Sequence, residues 1–238
     1  FFKKTVAELI AQRIEPTLAL GICTITFAIV VAVPIGVMAA YKQGSLFDRC
    51  VMGFAVIGFS VPGFVIGYCL IYVFAIELGW LPVQGYTRIG VNFWAFLERM
   101  VLPSITLSVG FIALISRITR ASVLEVLNED YIRTARAKGL SNRVVLMRHA
   151  LRNAVIPVIA LSAVQFGFML GGSIVIENVF ELHGVGFLAW ASLSKNDLPT
   201  VQAVVLLLAV LLCGIRYFRA KSAADDAWLA GGHGEVER

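Results

Sequence analysis

The sequence predicts an all-α integral membrane protein, and three observations support that class. The 238 residues are 59% hydrophobic, and their mean hydropathy is +0.85. Charged residues make up 15% of the chain, whereas they make up about a quarter of a typical soluble domain. The charges also fall between five apolar runs, which we interpret as helices that cross a membrane.

Five spans and one transmembrane domain, 1–238, are predicted from these runs. The spans cover residues 17–40, 51–76, 101–116, 154–176 and 201–216. Before them, residues 3–16 carry apolar side chains at helical spacing among charged ones, so we expect an amphipathic segment at the membrane interface. After them, residues 217–238 form a polar tail that we expect to be disordered.

The second span contains the sequence Ser-Val-Pro-Gly at 60–63. Proline removes a backbone donor and interrupts a helix, so this sequence predicts either a packing kink or a bend that lines a pathway, and the packing kink is favoured. If the protein contains a pathway, its candidate lining residues are Ser60, Pro62 and Gln165, because they are polar groups or backbone interruptions within apolar spans.

Residues 117–153, here called the charged segment, separate the third and fourth spans and contain eight of the 20 Lys and Arg residues. Within it, residues 129–139 begin with two carboxylates and end with Lys138 and Gly139. That order suits a short helix, because acidic groups favour the amino end, basic groups the carboxyl end, and glycine a left-handed stop. A helix of about ten residues is marginal alone in water, so we expect it to pack against something.

Such a helix is predicted to expose Tyr131, Thr134, Ala135 and Lys138 on one face. A helix face with one aromatic side chain among small side chains is suited to binding in a groove of another protein. The alternative is a solvated basic loop that only follows the positive-inside rule.

The distribution of basic residues predicts the orientation of the chain. Alternate loops contain fourteen and six Lys and Arg residues, and the richer set includes the charged segment and the carboxyl end. The positive-inside rule places that set in the cytoplasm and residue 1 on the outer side. We therefore expect an earlier span upstream of residue 1.

The sequence argues against several other classes of protein. The four cysteines show no metal-ligand spacing, and the basic residues follow the loops as topology requires, so neither a metal centre nor nucleic-acid binding is expected. Up to residue 215, the apolar runs contain no Asp, Glu, Lys, Arg or His, which argues against an intramembrane hydrolase and against an ATP-independent carrier or channel, although the latter remains the main alternative. No GxxxxGK[ST] motif for ATP is present.

Two motifs of the charged segment resemble a known family. Residues 130–141, DYIRTARAKGLS, and residues 149–157, HALRNAVIP, closely resemble the cytoplasmic "EAA" loop of ABC-transporter permeases. The resemblance is nearest to the B-type permease of the dipeptide/oligopeptide importer group, which includes nickel and glutathione systems. Residues 78–83, 102–107 and 171–177 also match. Residues 213–219 depart from the family's usual apolar ending.

The resemblance implies a type I ABC importer permease fold with six spans at full length, the first of which is missing here. It also implies that the short helix is the coupling helix, which docks in a cleft of an ATPase. The coupling residues that it implies are Glu129, Asp130, Tyr131, Thr134, Ala135, Ala137 and Gly139.

The expected function is that of a transport subunit rather than an enzyme, in a bacterial inner membrane. Its expected partners are the lipid bilayer, a second permease, two ATP-binding subunits and an external substrate-binding protein. ATP and magnesium would bind to the ATPase subunits, so no cofactor is expected in this chain. Peptides are the expected substrates, but the sequence does not distinguish dipeptides, oligopeptides, glutathione and nickel.

Overall fold

A computed structural model describes residues 5–231, and that part of the chain is helical without any strand. The helices are α1 Val6–Tyr41, α2 Leu46–Ser60, α3 Gly63–Leu70, α4 Phe93–Leu127, α5 Asp130–Ala137, α6 Asn142–Val144, α7 Leu151–Val179, α8 Val185–Ser194 and α9 Leu198–Gly231. π-helical turns extend α3 over Ile71–Glu77 and join α6 to α7 over Val145–Ala150. The predicted all-α class is therefore confirmed.

Helix α1 begins before the first predicted span. Thr5 and Glu8 form a capping box at its amino end, in which each side chain accepts a hydrogen bond from the other residue's backbone N–H. Leu9 is buried against Val185, Leu188 and Val204. The predicted amphipathic segment is therefore helical from Val6 and continuous with the first span, and its apolar side chains Leu9, Ile10 and Ile14 pack on α8 and α9.

Within residues 5–231, three helical stretches are long and apolar enough to cross a membrane: Val6–Tyr41, Phe93–Leu127 and Val145–Met169. The predicted second span is broken, because the helices Leu46–Ser60 and Gly63–Glu77 meet at an angle of 101°. Counting that pair as one span gives four. The fifth predicted span corresponds to a shorter apolar stretch, Leu198–Gly214.

The break at the second span follows from its sequence. Val61 has an extended backbone, with φ −84° and ψ 125°, which is the conformation that a following proline favours. Pro62 is the N-cap residue before α3 and contributes no backbone donor. The predicted interruption is thus confirmed, although its angle exceeds that of an ordinary kink.

The carboxyl-terminal helix is longer than expected. Helix α9 continues to Gly231. The prediction of disorder is therefore wrong for residues 217–231. The alanines and lysine at 220–227 favour a helix. Residues 232–238 lie outside the described part of the chain.

Helices α1 and α4 form the centre of the bundle. A Cβ atom on Gly36 of α1 would lie 2.7 Å from the Ser116 carbonyl oxygen and from Thr119 Cβ of α4, so the two helices touch at this glycine. Ser122 of α4 donates a hydrogen bond of 3.0 Å to the Ala154 carbonyl of α7. These contacts place the ends of α4 and α7 side by side, where the charged segment connects them.

Candidate functional site

The predicted short helix of the charged segment is present as α5, Asp130–Ala137. It follows a backbone that is extended at Glu129, and its first residue carries the negative charge that the amino end favours. Thr134 donates a hydrogen bond of 3.0 Å to the Asp130 carbonyl. Arg133 lies 3.3 Å from the Asp130 carboxylate, with both side chains well exposed to solvent.

Two side chains attach α5 to the rest of the protein. Ile132 is fully buried and Ala135 is 7% exposed. They pack in one cluster with Val145 and Ala150, beside Leu127. The expectation that Ala135 lies on the exposed face is therefore wrong, because it shares the inward face with Ile132 three residues earlier.

The opposite face of α5 is open to solvent. The exposed residues of the predicted coupling set are Glu129, Asp130, Tyr131, Thr134, Ala137 and Gly139, and Lys138 is exposed beside them. The Tyr131 side chain is oriented by α7, since Asn153 Nδ2 donates a 2.8 Å hydrogen bond to its hydroxyl oxygen. The structure therefore presents a short, fixed helix with one aromatic side chain and small neighbours.

Gly139 ends this helix as the sequence predicts. Its φ is +81°, in the left-handed region that glycine adopts without strain. The Gly139 N–H donates to the Arg136 carbonyl at 2.9 Å. Among the described residues other than its chain neighbours, no atom lies within 4 Å of the position that a Cβ would take, so the backbone conformation and not the packing requires glycine here.

A cavity of about 330 Å³ lies beside α5. Its walls come from the end of α1, the following turn, the end of α4, α5 and α6. Its polar lining residues are Tyr41, Gln43, Asn128, Arg136 and Asn142. This region, the α5 end of the bundle, therefore combines an exposed helix with a polar cavity next to it.

The candidate pathway residues lie in two places. Ser60 and Pro62 are exposed at the bend between α2 and α3, and the Ser60 hydroxyl donates to the Val56 carbonyl at 2.8 Å. One cavity of about 310 Å³ at the bend is lined by Phe59, Phe64 and other residues of α2, α3, α4 and α7. A second cavity of about 410 Å³ includes Ser60. Gln165, on α7, is half-buried and lines neither cavity.

A buried carboxylate organises the opposite end of the bundle, called here the α8 end. Glu177 is fully buried. Thr17 donates to its Oε1 atom at 2.7 Å, Ser173 donates to the same oxygen at 3.2 Å, and the Phe187 N–H donates to Oε2 at 2.9 Å. The Val185 N–H in turn donates to the Thr17 hydroxyl at 2.8 Å. Glu177 and Thr17 therefore satisfy backbone donors in the first turn of α8, where a negative charge is favoured.

A second polar group at the α8 end joins α1 to the segment between α3 and α4. Tyr86 donates a hydrogen bond of 3.0 Å to Glu15, and Arg88 lies 3.6 Å from the same carboxylate. Burial, and then the hydrogen bond to Glu15, raises the pKa of Tyr86. The phenol therefore stays protonated and keeps donating across the neutral range.

Comparison with known proteins identifies the class. Residues 32–221 match the family described as "Binding-protein-dependent transport system inner membrane component". Because this match covers most of the chain, the protein belongs to that family, and it is an integral component of a bacterial inner membrane. The family resemblance inferred from the charged segment is thereby confirmed.

Two individual relatives within this family are similar to the chain over most of its length. The chain is 46% identical over 206 residues to the "Probable peptide ABC transporter permease protein y4tP" of Sinorhizobium fredii, covering 87% of this chain and 66% of the relative. It is 44% identical over 208 residues to the "Glutathione transport system permease protein GsiC" of Escherichia coli K12, covering 87% of this chain and 65% of that protein. The chain thus spans about two thirds of the length of these relatives.

A solved structure supports the fold. A chain of the MetNI methionine ABC transporter, in an inward-facing conformation, superposes with a TM-score of 0.73 at 18% identity. The superposition covers 92% of this chain and 96% of the other. The predicted type I importer permease fold is therefore confirmed.

Proposed function

We propose that this protein is a permease subunit of an ATP-driven, binding-protein-dependent importer of peptides, including peptides of the size of glutathione. Family membership and the names of the two relatives support this proposal. In such an importer the permease forms the path and the energy comes from another subunit.

The observation that carries the proposal is the geometry of α5. Ile132 and Ala135 attach the helix to the bundle, while Tyr131 and Thr134 face solvent. A helix of eight residues with one face packed and one aromatic side chain exposed has the form of half of a protein–protein contact. We infer that a cytoplasmic ATPase subunit covers this face.

The remaining partners follow from the same proposal. We infer two cytoplasmic ATPase subunits, a second permease and an external substrate-binding protein, with ATP and magnesium bound by the ATPase subunits. The excess of Lys and Arg in the loops of the α5 end supports a cytoplasmic position for that end and an external position for the α8 end.

The path is proposed to pass the bend between α2 and α3. Cavities of about 310 Å³ and 410 Å³ adjoin this bend, and the backbone at Val61 and Pro62 is not helical. Irregular backbone within a membrane is tolerated where it lies in protein or lines a water-filled space. Ser60 and Pro62 therefore remain our candidates for the path, and Gln165 remains a candidate by its polarity alone.

Purification of the full-length protein from the membranes of its own cells tests this function. An affinity tag on this protein should recover two ATPase subunits and a second permease. After reconstitution in vesicles with the binding protein, ATP should drive uptake of glutathione or of a mixture of dipeptides. Uptake without ATP, by a preparation that contains no ATPase, would instead support the channel or secondary-carrier alternative.

The substrate is tested separately by mass spectrometry of the ligand that co-purifies with the binding protein. A peptide would support the proposed substrate class. A metal complex or a sugar would contradict it while leaving the ATP-driven mechanism intact.

A further inference from the structure

A buried ion pair connects α2 and α4 near the α5 end. Arg120 Nη2 lies 2.8 Å from Asp48 Oδ2, and Arg120 Nε contacts the other carboxylate oxygen. The Asp48 residue is only 3% exposed, and the Arg120 side chain is 22% exposed. Two parallel contacts between a guanidinium and a carboxylate fix both distance and orientation.

The Asp48 carboxylate is also fixed by the turn before α2. The Gly44 N–H donates to Asp48 Oδ2 at 3.0 Å, and the Asp48 N–H donates to the Ser45 hydroxyl at 3.3 Å. Asp48 therefore belongs to a rigid first turn of α2. Arg120 attaches α4 to that turn and, through it, to the end of α1.

The position of this pair along the two helices suggests a role in transport. Arg120 lies about two turns before α4 ends at Leu127, and α5 follows almost directly. Asp48 lies in the first turn of α2, whose other end is the 101° bend at residues 60–63. The pair therefore joins the part of α4 that precedes α5 to the helix that ends at the bend.

Near the bend, α2 and α4 also meet through apolar contacts. A Cβ atom on Gly58 of α2 would lie 3.5 Å from Val109 and from Ala113 of α4, which is an ordinary van der Waals distance. Apolar burial has no preferred direction, and packed helices slide past each other by small shear movements. A bidentate ion pair resists such sliding, because small displacements break its geometry.

We propose that the Asp48–Arg120 ion pair is the positioning link through which a movement of α5 reaches the bend between α2 and α3. This proposal rests on the function proposed above. Without the pair, α4 slides along α2, and a movement of α5 no longer moves the bend. The ATPase still binds α5 and hydrolyses ATP.

The test measures substrate uptake per ATP hydrolysed by the purified transporter complex in vesicles, with glutathione and mixed dipeptides as probes. Arg120→Lys keeps the charge and loses the planar fork. Asp48→Asn with Arg120→Gln removes both charges together and leaves no buried ion unpaired. Arg88→Lys, at the exposed pair with Glu15, is the matched control.

Arg120→Lys and the double variant should each lower uptake per ATP by about tenfold, within the usual range for coupling between sites. Recovery of the ATPase subunits should stay normal, and Arg88→Lys should behave as the wild type. Unchanged uptake per ATP in both variants would overturn the proposal. So would a loss of uptake that only follows a loss of assembled complex, because that result is what a purely structural pair predicts.

The wild-type complex separates this inference from the proposed function. If the wild type recovers no ATPase or shows no ATP-driven uptake, the proposed function fails. If the wild type couples ATP to uptake and the variants do so equally well, only the role of the ion pair fails.

Discussion

The two ends of the bundle each contain a buried carboxylate, and the two are stabilised differently. Asp48, at the α5 end, has the guanidinium of Arg120 as its main partner. Glu177, at the α8 end, accepts hydrogen bonds from two hydroxyl groups and from the first turn of α8. The first arrangement joins α2 to α4 across 72 residues of sequence. The second satisfies backbone donors that would otherwise be buried without partners.

This difference indicates different tasks. A carboxylate that caps a helix fixes a local junction, and its loss leaves several buried donors unsatisfied. A bidentate ion pair between two helices fixes their register and can be replaced by a neutral pair with less effect on stability. We therefore expect Glu177 to matter most for stability and Asp48 to matter most for coupling.

Glu177→Ala should have the largest effect on stability. It removes the acceptor of the Thr17 hydroxyl and of the Phe187 N–H, so we expect a loss of about 3 kcal/mol. Glu177→Gln keeps one acceptor and should cost less. Thermal unfolding of the full-length protein in detergent measures both, with the exposed Glu98→Ala as the control. Equal unfolding temperatures for Glu177→Ala and Glu98→Ala would contradict the capping role.

The α5 end and the α8 end also differ in why each requires a glycine. A Cβ on Gly184 would lie 2.6 Å from the Glu177 carboxyl carbon, whereas Gly44, with φ +79°, has open space around it. Gly184→Ala should therefore cost about 2 kcal/mol by overpacking. Gly44→Ala should cost about 1 kcal/mol by backbone strain.

Asparagine distinguishes these two causes. Gly44→Asn should be close to the wild type in thermal unfolding, since asparagine tolerates the left-handed conformation. Gly184→Asn should be worse than Gly184→Ala, because the larger side chain enters a filled space. If Gly44→Asn were less stable than Gly44→Ala, backbone strain would not be the reason for glycine at residue 44. If Gly184→Asn were more stable than Gly184→Ala, overpacking would not be the reason at residue 184.

Gly139→Val should have a small effect on stability and a larger one on transport. The β-branched residue strains the left-handed turn after α5 by about 1–2 kcal/mol, and it disturbs the orientation of the helix. We expect uptake per ATP to fall while complex assembly stays normal. Gly139→Asn and Gly79→Val are the controls, since the first tolerates the conformation and the second introduces similar strain at a distant turn. Unchanged uptake by Gly139→Val with normal assembly would refute this role of the turn.

The sequence predicted the class, four of the apolar spans and α5 because each depends on local order. Apolar runs locate helices in a membrane, the order of charges and glycine locates α5, and Pro62 locates the bend. The angle of that bend depends on what α3 packs against, which no local pattern contains. The extension of α9 to Gly231 was not predicted. The polar residues after 216 indicate a disordered tail, but the alanines among them favour a helix.

Contacts between distant residues were the part that the sequence did not predict. Asp48 and Arg120 are ordinary loop charges in the sequence, and only the fold brings them together. Glu177 belongs to a matched motif, but its partner Thr17 is 160 residues away. The inward position of Ala135 was predictable, because Ile132 is the one large aliphatic residue of α5 and the residue three positions later shares its face.

The contact between α5 and an ATPase is the central claim, and site-specific photo-crosslinking tests it most directly. A photoreactive amino acid would replace Thr134 or Ala137 on the exposed face of α5 in the full-length protein, with Val91, exposed at the α8 end, as the control. In native membranes, Thr134 and Ala137 should crosslink to the ATPase subunit, and Val91 should not. Crosslinking to the ATPase from Val91, or its absence at both α5 positions while the ATPase still co-purifies, would contradict the claim.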